Sequence, residues 1–197
     1  EAILKALSDV GYETPSPIQA ACIPALEAGR DLIGMAQTGT GKTAAFALPI
    51  LNRIDLAKAQ PQALVLTPTR ELAIQVAEAF VKYARYLPGF HVLPIYGGQS
   101  YGIQLKQLAR GAHVIVGTPG RIIDHLEQGN LFLGATEFLV LDETDRMLDM
   151  GFEIQLNKIR KFLKPGRQTL LFSATLPPNI KEMAANYLKN PVRIAIG

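Results

Sequence analysis

The chain has 197 residues, enough for one well-cored domain and too few for two of ordinary size. Hydrophobic residues make up 48% and charged residues 19%, and no segment approaches the roughly 18 uninterrupted apolar residues of a membrane-spanning helix, so the expectation is a globular cytoplasmic protein. A formal charge of +3 with a pI near 9.0 permits nucleic-acid binding without requiring it, because the basic residues are scattered and form no block.

From Glu1 the chain is already in a helical pattern with no signal segment, and it reads as a piece of a longer protein. Ser16 followed by Pro17 has the form of a helix N-cap and first turn. In the run IQAACIPAL, the single cysteine Cys22 reads as a small buried hydrophobe; it excludes an internal disulfide and fits a reducing compartment. Short apolar runs follow in order: DLIGMA, QALVLTP, HVLPIY, HVIVGTP, FLVLDE, QTLLFSAT and VRIAI. All read as buried strands. Between them, Leu72, Val76, Phe80, Tyr83 and Leu87 have helical spacing, as do Phe152, Leu156, Ile159 and Leu163, and then Ile180, Met183, Ala184, Tyr187 and Leu188. This alternation predicts an α/β fold: a mostly parallel sheet with helices on both faces and functional loops at the carboxyl ends of the strands. Turn residues at Gln60–Pro61, Pro88–Gly89 and Pro165–Gly166 break the pattern without making a domain linker. Lys158, Arg160, Lys161, Lys164 and Arg167 read as a solvated helix face in preference to a second RNA patch. His91, His113 and His125 lack ligand spacing, so no metal site is expected from them.

After the run DLIGM comes AQTGTGKTA, Ala36 to Ala44, leading into a helical stretch. This is the phosphate-loop pattern G-x-x-x-x-G-K-S/T in its expected strand-to-helix context, with Ala36 at the first glycine position. Gln37, Thr38, Gly39, Thr40 and Gly41 would curl so that backbone N–H groups face a β-phosphate, helped by the positive end of the following helix. Lys42 would reach the β- and γ-phosphates, and the Thr43 hydroxyl would ligate Mg²⁺. The stretch FLVLDETDRML then crowds Asp142, Glu143 and Asp145 together just after a buried run. Carboxylates so close need a compensating cation, and a magnesium nucleotide supplies one. Asp142 is expected to hold Mg²⁺ through water opposite Thr43, Glu143 to orient or deprotonate the attacking water, and Asp145 to tie this loop to a neighbouring one.

These motifs, together with GYETPSPIQ, PTREL, the Gly97–Gly98 pair, TPGR and SAT, stand in one order along essentially the whole chain. In that set and order the chain resembles the first RecA-like domain of a DEAD-box RNA helicase, of superfamily 2. The resemblance implies a RecA-like P-loop NTPase domain over residues 1–197, with a glutamine motif at 11–19. It implies that Gln19 reads adenine with its amide, which selects ATP, with ADP or AMP as further bound ligands. Tyr12, in the same motif, either covers the adenine face or serves as core. Ser173 and Thr175 would link hydrolysis to strand separation through hydroxyl bonds to Asp145.

The resemblance also implies an RNA surface. Pro68, Thr69 and Arg70, then Gly97 and Gly98, then Thr118, Pro119, Gly120 and Arg121 would bind RNA phosphates, the first and last groups at helix starts, reading backbone and 2′-OH instead of bases. Thr144 stands where the family name has alanine. The aromatic that the family carries upstream of the glutamine motif has no counterpart, and the second RecA-like domain with its arginine fingers does not occur within the 197 residues. The isolated chain is therefore expected to be monomeric, nearly inactive, and dependent on that second domain. Two rival readings are a nucleotide-gated RNA clamp with little turnover and a small-molecule kinase, for which no lid or acceptor site is legible.

Overall fold

The computed structural model describes residues 17–36 and 41–195. Along them run α1 (Pro17–Glu27), β1 (Leu32–Met35), α2 (Lys42–Arg53), β2 (Ala63–Leu66), α3 (Arg70–Tyr83), β3 (Val92–Ile95), α4 (Tyr101–Arg110), β4 (Val114–Gly117) and α5 (Pro119–Glu127). These are followed by β5 (Phe138–Leu141), α6 (Thr144–Asp149), α7 (Glu153–Arg160), β6 (Gln168–Ser173), α8 (Pro178–Tyr187) and β7 (Val192–Ala195). Every apolar run read as a strand is one. The strands form a seven-stranded sheet in the order β3-β4-β2-β5-β6-β1-β7, and all its pairs are parallel. This is the RecA-like α/β architecture.

The period of two in a strand divides the core. Val65 and Val140 point into one layer with Cys22, Phe46, Phe80 and Phe172, under α1, α2 and α3. Leu64, Leu66, Leu139 and Leu141 point into the other with Ile122, Met147, Leu156 and Ile180, under α5 to α8. Phe46 sits between Phe80 and Phe172, with ring centroids 6.3 and 5.7 Å away, and its burial anchors α2 to the sheet. Burial on both faces is why the central strands are unbroken apolar runs.

Three expectations need correction. VRIAI is not a buried strand: β7 is an edge, and its side chains alternate between half-buried and exposed. The helical spacing around Leu87 and Leu163 overruns α3 and α7, which end at Tyr83 and Arg160; these leucines pack from the loops beyond. A helix, α4, also follows the Gly97–Gly98 pair, where only the first and last RNA motifs were expected to open one. Ile103 and Leu105 are exposed and only Leu108 leans on the core, half-buried, so the hydrophobic pattern carried little usable signal. Among the described residues no helix is long and apolar enough to cross a membrane.

Candidate nucleotide and nucleic-acid site

The order of strands sorts the motifs. β5, β6 and β1 are neighbours, so the DETD, SAT and phosphate-loop segments leave the sheet side by side. β3, β4 and β2 are neighbours on the other half, and their carboxyl ends carry Gly97–Gly98, TPGR and PTREL. Two clusters result, joined where β2 meets β5.

In the first cluster Gly41 has φ 80°, a left-handed conformation that favours glycine, and it caps α2 directly before Lys42. From there Lys42 reaches across β6, and its ammonium lies 2.8 Å from Asp142 Oδ1 and 3.8 Å from Glu143 Oε2. The cation the acids call for is thus already present as Lys42. Asp142 is wholly buried, and burial pushes its carboxyl above the usual range, opposed by the charge and hydrogen bond of Lys42. The Glu143 backbone N–H adds a weaker pull in the same direction as Lys42, and Oδ2 makes no full hydrogen bond among the described residues. A carboxylate with one lysine and one open oxygen suits a magnesium ion, and Asp142 and Thr43 are the residues that would hold it. Glu143 occupies left-handed space at φ 49° and ψ 53°, and its Oε1 lies 3.5 Å from Arg146 Nη1. A non-glycine residue in that region costs on the order of 1–3 kcal/mol, a strain found where a side chain must be aimed.

Asp145 joins two loops. Its Oδ2 accepts from the backbone N–H and the hydroxyl of Thr175, at 3.2 and 3.0 Å. The Ser173 hydroxyl behaves differently from expectation: it accepts from the Asp145 backbone N–H at 3.3 Å and does not donate to the carboxylate. Ser173 ends β6 beside β5 and meets the start of α6 there, whereas Thr175 lies two residues on and can face the side chain. Thr144 is buried, and its hydroxyl donates to the Leu141 carbonyl at 3.2 Å, so the extra polar atom relative to alanine is satisfied locally.

Gln19 is buried against the phosphate loop, its amide nitrogen donating to the Gly41 carbonyl at 3.1 Å. Ala36, also buried, donates its N–H to the Ser173 carbonyl and begins the loop. Tyr12, Ser16, Gln37, Thr38, Gly39 and Thr40 lie outside the described residues.

In the second cluster, Thr69 caps α3 by accepting from the Leu72 N–H at 3.2 Å, and Pro68 is buried behind it. Arg70 is exposed, its guanidinium 5.2 Å from the centre of the Tyr96 ring. Gly97 and Gly98 are exposed, the second at φ 88° with open space around its Cα. Thr118 precedes α5 at the cap position without a side-chain hydrogen bond, Pro119 takes the first helical position, and Gly120 is half-buried. Arg121 donates from Nη1 to the Gln99 carbonyl at 3.2 Å and to Gln104 Oε1 at 3.0 Å. A groove of about 580 Å³ runs along Gly97, Thr118, Gly120 and Arg121 to Phe152 and Lys158. Lys158 therefore belongs beside this cluster, apart from Arg160, Lys161 and Arg167, which line another cavity with Asp31 and Lys189. Sequence reading took Lys158 for a solvated helix face and passed over Tyr96 and Gln104, because only the packing of distant segments brings them to these loops.

Residues 16–183 match the family model described as DEAD/DEAH box helicase. The chain belongs to the DEAD/DEAH box helicase family. Among curated relatives, it is 58% identical over 192 residues to the ATP-dependent RNA helicase DeaD of Mycobacterium tuberculosis, covering 98% of this chain and 34% of the relative. It is 52% identical over 194 residues to the ATP-dependent RNA helicase DeaD of Escherichia coli, covering 98% of this chain and 31% of the relative. The chain thus spans about a third of the length of these relatives. For this DEAD/DEAH box domain, the family match covers both clusters and the buried strands that carry them.

Cys22 is fully buried, and burial pushes its thiol up to about 11, so it stays protonated and inert as core.

Proposed function

We propose that the chain is the ATP-binding domain of an RNA-dependent ATPase that locally unwinds RNA duplexes, acting with a second RecA-like domain. The observation that carries this reading is the buried Lys42–Asp142 pair with Glu143 beside it, on the same sheet as three loops suited to RNA phosphates. Bound Mg²⁺ would supply charge neutralisation at the β- and γ-phosphates. With a nucleotide bound, Lys42 would exchange part of its attraction to Asp142 for the phosphates, and Asp142 and Thr43 would hold the metal. Glu143 accepts the proton of the attacking water, and its left-handed backbone aims it. Gln19 couples base recognition to loop geometry, since its amide already touches the Gly41 carbonyl. Arg70 and Arg121 are assigned to RNA, so the arginine that stabilises the transition-state charge must come from the second domain. Residues 1–197 alone are accordingly monomeric, bind ATP, ADP or AMP weakly and hydrolyse little. The single cysteine, free and buried, fits the reducing conditions of a cytoplasmic place of work.

The test is ATP hydrolysis by the full-length protein with and without single-stranded RNA, alongside strand separation of a short duplex. RNA-stimulated turnover with unwinding supports the reading. RNA binding gated by nucleotide but without turnover would replace it with the clamp. The base assignment is checked by Gln19→Ala, expected to weaken ATP binding more than GTP binding.

A further inference from the structure

α4 buries a single residue, and that residue is a glutamine. An amphipathic helix ordinarily docks by leucines or valines, and a buried amide is costly unless its two donor and two acceptor positions are filled. At Gln104 all four are filled. Nε2 donates to the Tyr96 carbonyl at 2.9 Å and to Gln99 Oε1 at 2.8 Å. Oε1 accepts from Arg121 Nη1 at 3.0 Å and from His125 Nε2 at 2.7 Å. The amide orientation is settled by its partners, since the Arg121 guanidinium can only donate and the Tyr96 carbonyl can only accept. His125 Nδ1 faces the Asn130 amide nitrogen at 3.4 Å, which leaves the ring proton on Nε2, toward Gln104.

The partners of Gln104 come from different loops. Tyr96 and Gln99 flank the Gly97–Gly98 pair after β3, and Arg121 belongs to the segment after β4. Tyr96 carries Arg70, from the segment after β2, over its ring. Arg121 is held in a third way, its guanidinium 5.6 Å from the centre of the Tyr101 ring. Loops that follow successive phosphates of one strand need fixed mutual spacing, and a fully satisfied buried polar network is rigid.

We infer that Gln104 is a positioning residue for RNA: set against the Gly97–Gln99 loop, it holds Arg121 in the geometry that meets the phosphate backbone. The inference rests on the RNA reading above. Gln104 acts through Arg121, whose Nη1 it engages, while Nε and Nη2, which make no hydrogen bond among the described residues, face a phosphate in this reading.

The experiment compares Gln104→Met, Gln104→Glu and Arg121→Ala in the full-length protein, measuring the affinity for single-stranded RNA at several salt concentrations. The methionine variant is expected to weaken RNA binding about tenfold, the scale of one lost charge-assisted hydrogen bond. The dependence of log affinity on log salt becomes shallower by about 0.7, the value for one lost phosphate contact on a single strand. Glutamate keeps both acceptor positions for Arg121 and His125 and is expected to keep the wild-type slope. Adenine nucleotide affinity stays unchanged, and adding Gln104→Met to Arg121→Ala weakens binding no further. An unchanged slope in a folded methionine variant, or effects that simply add, overturns the inference. If methionine prevents folding, Gln104→Asn serves in its place: its amide stops short of Arg121, and a wild-type slope in that variant is equally decisive against the role. Wild-type RNA affinity in both Arg70→Ala and Arg121→Ala would instead remove the RNA reading itself. Loss in Arg121→Ala without loss in Gln104→Met removes only the positioning role.

Discussion

The ammonium of Lys42 lies 2.8 Å from Oδ1 of Asp142, and both side chains are almost wholly shielded from water. The pair spans two strand ends with β6 between them, so it ties the phosphate loop to the acidic loop without any nucleotide. Removing one partner of a buried pair leaves an uncompensated charge, which costs up to about 3–5 kcal/mol. Lys42→Met is therefore expected to lower stability in denaturant melts, and Lys42→Met with Asp142→Asn to recover part of the loss. No recovery in the double variant would show that the lysine matters through packing alone. Both variants should lose nucleotide binding.

Glu143 is within 3.8 Å of Lys42 but is spared the deep burial of Asp142, which suits a base that must exchange a proton. Glu143→Gln in the full-length protein is expected to keep ATP and RNA binding while turnover falls by a factor on the order of 10². Turnover near wild type, measured by phosphate release, would take the base role from Glu143.

The bond from the Thr175 hydroxyl to Asp145 is exposed, so its loss should cost stability only about 0.5–1.5 kcal/mol. Thr175→Val is expected to hydrolyse ATP with RNA yet separate strands poorly. Equal losses of hydrolysis and unwinding would argue against a coupling role.

His125 gives a pH test. Burial holds its pKa below the usual 6.5, Arg121 pushes it the same way, and Asp124 opposes them. The unfolded chain therefore takes up the proton first, so the contribution of His125 is complete above about pH 6.5 and declines as pH falls from there toward the folded-state value, by up to about 1.4 kcal/mol per pH unit. Melts at pH 7.5 and 5.5 should show a larger acid loss in the wild type than in His125→Gln. Identical losses would mean that the imidazole takes up its proton as readily in the fold as in the unfolded chain.

Much was legible in the sequence because it is local. The strand runs are apolar without alternation since both faces of the sheet are covered, and that burial is written in each run separately. The phosphate loop is legible for the same reason: a left-handed Gly41 followed by Lys42 at a helix start is a property of adjacent residues. The acids of DETD announced a need for positive charge, again from near neighbours.

Strand order is not local, and only the tertiary structure decided it. Nothing in FLVL or QTLLFS says that β6 inserts between β5 and β1, yet that insertion sets the reach of Lys42 to Asp142 and the contact of Ser173 with the Asp145 backbone. Gln104 shows the limit most plainly. On a helix with exposed Ile103 and Leu105 it reads as a surface residue, and its burial follows from four partners drawn from α5 and from the loop after β3. A polar side chain has no periodic signature of burial. Its place is fixed only when distant segments bring the donors and acceptors that make burial tolerable.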